Sequence, residues 1–223
     1  MFAGAPPLVH PASTGRVFYV GSVAVPGGVA GADVSGAHGD SPQRPFLTVD
    51  YAVGQCTAGR GDVIYVLPGH TETISAAAGW DLDVSGISVI GLGAGRLRPA
   101  LTMDTATGVD IDIDAANITI ENIYMDLTGV DAGAAAIDVN AADFTMKDCE
   151  ILMADSGGQA TRCVEGATAA DRMKILHHVF RSTTAGAASA IRVTGTADDT
   201  EIAYNRIYGD FSVAAIENPT SNV

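Results

Sequence analysis

A chain of 223 residues with 47% hydrophobic side chains can bury one sizeable core, which excludes a disordered polymer. Its formal net charge of −14 repels nucleic-acid phosphates and anionic lipid, so neither nucleic acid nor membrane is expected as a partner. With 26 glycines, abundant Ala and Val and only 6% aromatics, the composition suits many short strands and turns, not a helical bundle.

Residues 1–16 read as an extended N-terminal arm, because Pro6, Pro7 and Pro11 oppose regular structure. The opening MFAGAPPLVHPAS has neither the basic nor the apolar region of a secretory leader. No apolar run reaches the length of a bilayer span. Three cysteines, Cys56, Cys149 and Cys163, form an odd set without a CxxC pair; reduced thiols in a cytoplasmic product are the expectation. Residues 17–61 come next. RVFYVGS predicts a strand and residues 26–45 a Gly/Pro-rich loop. SPQRPFLTVDYAVGQCTA predicts a short helix, its apolar face made by Phe46, Val49, Tyr51, Ala52 and Val53, with Gly54 near its end. A stack of strands has an open end, and this helix is placed to cap it.

From residue 62 to 223 the chain repeats itself. IDIDAANITI at Ile111–Ile120 returns as IDVNAADFTM at Ile137–Met146. Taking Ile120 as a mark, equivalent inner positions fall at Val66, Val89, Met146, Ile175 and Ile202, with spacings between 23 and 31. A second short strand precedes the later marks: LDV (Leu82–Val84), IDI (Ile111–Ile113), IDV (Ile137–Val139), VEG (Val164–Gly166) and IRV (Ile191–Val193), with AIE (Ala215–Glu217) following. Alternation sends apolar side chains to one face and polar ones to the other. One coil of two or three such strands cannot bury its inner face, but stacked coils can. Ile111, Ile137, Val164 and Ile191 would form one inner column, and Ile118, Phe144 and Met173 another. Asn117, Asp143 and Asp199 suit the turn before the second strand, where a short polar side chain bonds nearby backbone. The expectation is an all-β parallel β-helix. A doubly wound α/β fold needs connections of helical length that are missing here, and an antiparallel sandwich fits the quasi-period less well.

The stretch FYVGS…GDSPQRPFLTVDYAV…GDVIYVLPGHTETI, about residues 18–74, is similar to the N-terminal signature of right-handed parallel β-helix proteins of the pectin-lyase-like group. VDYAVGQC with LPGH resembles proteins of tailed-phage genomes, in which β-helices serve on the virion surface. The resemblance implies a non-enzymatic structural protein, a capsid decoration (cement) protein assembled in the host cytoplasm, with no cofactor. Shallow Ala/Val/Thr-rich faces permit side-by-side packing as a homotrimer. The arm is the expected anchor to another virion subunit such as the major capsid protein. A tail fibre or spike, and a carbohydrate-active lyase or hydrolase, are the alternatives.

Enzymes of this fold use clustered carboxylates, with Ca²⁺ and an Arg base in the lyases. Here an outward series runs Asp83, Asp112, Asp138, Glu165, then Arg192 and Glu217, with Arg162, Arg172 and Arg181 nearby. Asp83, Asp112, Asp138 and Glu165 are therefore the candidate cation ligands; a solvated polar face is the plainer reading. The aromatic platforms of a sugar groove are not visible, with Trp80 the single Trp. No catalytic or cofactor-binding set is assigned.

Other motifs resolve into structure. RGD at Arg60–Asp62 enters a strand, and GLGAG at Gly91–Gly95 lacks the helix of a phosphate loop. His177 and His178 point to opposite faces. Cys149 and Cys163 fill small inner or corner positions. Asn117–Thr119 matches a glycosylation triplet by coincidence of turn and strand, and no GxSxG occurs. SVAAIENPTSNV follows a strand without an amphipathic cap, so further chain, a neighbouring copy or another partner is expected over that end.

Overall fold

The computed structural model describes residues 15–34, 36, 38–104, 108–130, 135–154, 160–183, 186–195 and 197–219. Most of the expected arm, residues 1–14, lies outside them, as do residues 220–223.

The chain winds as a parallel β-solenoid built from three sheets. The first sheet stacks β1 (Val17–Val20), β2 (Val63–Val66), β5 (Ser88–Gly91), β8 (Thr119–Glu121), β11 (Thr145–Lys147), β14 (Lys174–Leu176) and β17 (Glu201–Ala203). The second stacks β4 (Trp80–Asp81), β7 (Ile111–Ile113), β10 (Ile137–Val139), β13 (Arg162–Gly166), β16 (Ser189–Val193) and β19 (Ile216–Glu217). The third stacks β3 (Thr71–Ile74), β6 (Ala100–Met103), β9 (Tyr124–Asp126), β12 (Glu150–Ala154), β15 (Val179–Ser182) and β18 (Arg206–Gly209). All of these strand pairs are parallel.

The inner columns form as the alternation requires. Ile111, Ile137, Val164 and Ile191 stand in register and are fully buried. Val89, Ile120, Met146, Ile175 and Ile202 form the facing column on the first sheet. Ile118, Phe144 and Met173 are buried just before its strands. The third sheet, whose strands the repeat pattern left unmarked, closes the core with Leu101, Met125, Ile151 and Phe180.

Two expected positions shift by two residues. Val66 pairs with Gly91, and Ile64 is the partner of Val89. The second-sheet strand is Trp80–Asp81, not Leu82–Val84: Trp80 stacks on Ile111 and Asp81 on Asp112. Leu82 is buried next to it and Asp83 is exposed. A shift of two keeps every side chain on its face, so alternation alone does not distinguish the registers.

Backbone geometry explains the polar turns. Asn117, Asp143 and Asp199 have φ of 62°, 62° and 55°, and Arg172 takes the same position at 57°. Asn and Asp enter this left-handed region at least penalty. A second left-handed series, Asn122, Asp148, His177 and Tyr204, bends the chain from the first sheet to the third. Asn122 donates from Nδ2 to the carbonyls of Gly91 (2.7 Å) and Gly93 (2.9 Å) in the coil before it.

The one α-helix among the described residues, α1 (Val49–Val53), starts at Thr48, whose Oγ1 accepts from the Tyr51 N–H, and buries Val49, Ala52 and Val53. It contacts β1, β2 and β4. The GLGAG stretch makes a corner that runs into a 3-10 turn over Gly95–Leu97. At the far end β17, β18 and β19 are the last strands of their sheets, and Tyr204, Tyr208, Val213 and Ile216 are exposed there. No segment among the described residues covers that end.

Candidate functional site

The second sheet carries a ladder of outward charges in register: Asp81, Asp112, Asp138, Glu165, Arg192 and Glu217. Parallel pairing puts neighbouring strands ~4.8 Å apart, so each side chain sits against the next. The ladder divides by charge. In its upper half Arg192 Nη1 reaches Glu165 Oε1 at 3.0 Å, and both Arg162 and Arg192 approach Glu217. In its lower half no cationic side chain intervenes among the described residues: one carboxylate oxygen each of Asp110, Asp112 and Asp138 lie within 4.8 Å of one another.

Of the candidate ligands named from the sequence, Asp112 and Asp138 come together. Asp83 is exposed and out of register, its rung taken by Asp81. Glu165 stacks on Asp138 but is engaged by Arg162 and Arg192. Asp110, which precedes β7, was missed because nothing in its own neighbourhood marks it. Burial, then the neighbouring carboxylates, pushes Asp112 and Asp138 each up to about 6, and the same causes raise Asp81. Three oxygens this close, with hard-ligand character, could hold a divalent cation such as Ca²⁺.

The linkage has a definite sign. A carboxyl whose folded value lies above its unfolded one destabilises the fold above that value, and the cost is relieved as pH falls through 6 towards 4. Asp138→Asn therefore stabilises the protein at pH 7.5. Solvent screening holds the gain to about 1 kcal/mol, a rise in Tm of roughly 2–4 °C for a chain of this size. Paired thermal melts should show that advantage shrinking as pH falls below 6 and vanishing below pH 4; an advantage independent of pH would point to packing instead of charge.

The buried titratable groups outside the ladder serve the fold. His178 is buried, and its Nδ1 accepts from the Cys149 N–H at 3.1 Å, so the proton sits on Nε2, which donates to the Met146 carbonyl at 2.9 Å. Burial lowers its value to about 4 against the pull of those backbone contacts. Its effect is opposite in sign to that of the ladder: stability is lost as pH falls from 6.5 towards 4. His177 is on the other side of the backbone, half-exposed, its ring 5.0 Å from that of Tyr204. Cys149 is pushed up to about 12 by burial and Cys163 is raised by the same cause, so neither is a poised thiolate. The RGD tripeptide is closed on itself. Asp62 is fully buried and takes both Arg60 Nε and Nη2 at 2.6 Å.

A second buried network was not legible in the sequence. Glu72 occupies an inward position at the first rung of the third sheet, in register with Leu101. Its carboxylate accepts from the Val49 N–H of α1 (3.2 Å), from Trp80 Nε1 (3.1 Å) and from His70 Nε2 (3.2 Å). Ser22, His70 and Glu72 resemble a hydrolase relay in composition only. His70 Nδ1 accepts the Ser22 backbone N–H at 2.9 Å, and the Ser22 hydroxyl accepts the Thr71 N–H at 3.0 Å. No nucleophile is thereby left with a base.

No protein-family model, curated protein or solved structure matches this chain.

Proposed function

We propose that the chain is a non-enzymatic structural protein of a tailed-phage virion, a decoration protein on the capsid surface whose copies associate as trimers. Besides the resemblance of residues 18–74, one observation carries this reading: the buried His70 and His178 imidazoles and the Glu72 carboxylate are taken up by hydrogen bonds that hold backbone and helix in place. The solenoid is then a stiff rod, wound right-handed as in the proteins it resembles, with α1 capping its N-terminal end and residues 1–16 docking on the major capsid protein. The contacts of α1 with β1, β2 and β4, and the grip of Glu72 on its first N–H, support the cap. Co-expression with the major capsid protein of the same genome is expected to give shells that carry the chain, and removal of residues 1–14 to release it. Native mass measurement should find three copies of the 22.7 kDa chain. A monomer that ignores shells with or without the arm defeats this reading, and a particle reconstruction placing it on the tail favours a fibre or spike.

A carbohydrate-active enzyme is the second reading. It is favoured by Asp112 and Asp138, two carboxyls held near 6 beside Asp110, as a general acid would need. Turnover of an acidic polysaccharide that disappears in both Asp112→Ala and Asp138→Ala would establish it.

A further inference from the structure

The outer face of the first sheet, on the opposite side of that sheet from the core, carries one column in register: Tyr19, Tyr65, Ile90, Glu121 and Lys147. Tyr19 and Tyr65 lie side by side, ring centroids 6.0 Å apart and tilted by 36°. Two rungs further on, Lys147 Nζ meets Glu121 Oε2 at 2.9 Å. Between them the surface dips at Ile90, Gly91 and Leu92, making a slot of about 580 Å³ whose walls are the tyrosines on one side and the Glu–Lys pair on the other. Gly91 itself is an inward position, where a side chain would run into the Asn122 carbonyl and Ile123, so only its backbone lines the slot.

We propose that this slot binds a neutral pyranose unit of a glycan. Its volume is that of a small-ligand site, largely apolar with a few polar groups at the rim. A sugar ring has an apolar C–H face, which an aromatic ring covers, and hydroxyls at its edge, which need donors and acceptors. The slot has both. Tyr65 and the Ile90–Leu92 floor meet the ring face, the Glu121 carboxylate accepts from hydroxyls, and the Lys147 ammonium donates to them. Charge selects the class. Lys147 is neutralised by Glu121 and the molecule carries −14 overall, so acidic sugars are repelled and neutral or N-acetylated ones admitted. The site stands apart from the acidic ladder, which is on another sheet, and does not depend on the structural role proposed above.

Saturation-transfer NMR with the full chain provides the test, using N-acetylglucosamine and galactose trisaccharides as probes and a galacturonic acid trisaccharide as the acidic control. A neutral probe should receive saturation and saturate the site, while the acidic one receives none. Tyr65→Ala and, separately, Lys147→Gln should each weaken binding at least tenfold. Lys147 is half-exposed, so that variant keeps the fold if Tyr65→Ala does not. No transfer to any neutral probe at 10 mM, equal transfer to the acidic probe, or unchanged binding in Lys147→Gln would each overturn the assignment.

Discussion

Asp62→Ala should lower stability by about 3–5 kcal/mol, the loss seen when one partner of a buried ion pair is removed. In a chain of this length that is a fall in Tm of roughly 10 °C. The size follows from what the carboxylate holds. Its two oxygens accept from the Arg16 N–H (2.7 Å), from the Thr57 N–H (2.8 Å) and from both arms of the Arg60 guanidinium. Burial works to raise this carboxyl, yet Arg60 and the two backbone donors outweigh it and hold it below its ordinary value. Removal leaves these donors without their acceptor beside the start of β2. Asp62→Asn keeps an acceptor and the shape but not the charge, and should fall between Ala and the native chain. Urea titration and thermal melts measure the series; an Ala variant within 2 °C of the native chain would show that the network is dispensable. The same geometry argues against adhesion through the RGD tripeptide, since its Asp is not presented to solvent.

Glu72→Ala is expected to cost about 3 kcal/mol, because three buried donors lose one acceptor and each orphan carries its own penalty. The loss should be local. Glu72 joins α1 to the first coil through Val49 and to the second sheet through Trp80. The coils beyond it hold themselves by strand pairing. Trp80 is the single Trp and fully buried, so its emission reports this end alone. In the variant, the Trp80 transition should precede the loss of β-sheet circular dichroism, whereas the native chain should show the two together. Coincident transitions in Glu72→Ala would mean that this end is not a separate cooperative unit. Glu72→Gln retains one carbonyl oxygen for the three donors and should show a smaller version of the same separation.

Glu72 breaks the alternation rule: a charged residue takes a core position, and only its donors, drawn from Val49, His70 and Trp80, explain it. Those donors come from segments up to 23 residues away, so no local pattern marks the site. The tyrosine slot was hidden for the same reason. Tyr19 and Tyr65 are remote in sequence, and a low aromatic content said little about where the few aromatics gather. His177 and His178 do face opposite sides as expected, but they lie in the bend between β14 and β15, where His177 has φ of 59°, so the turn and not strand alternation separates them.

Alternation and recurrence along the chain determined the all-β class, the stacked coils, the inner columns at Ile111, Ile137, Val164 and Ile191, and the outward acids Asp112 and Asp138. These follow from one local fact, that successive side chains on a strand leave on opposite faces. The tertiary structure alone decided which acid stands beside Asp112, which residue stacks on Val89, and where a third sheet closes the core. A slide of two residues preserves every face and is therefore invisible to a pattern of period two. It moves a rung by ~6.6 Å along the strand, and only packing against the coils above and below selects between Asp81 and Asp83, or between Ile64 and Val66.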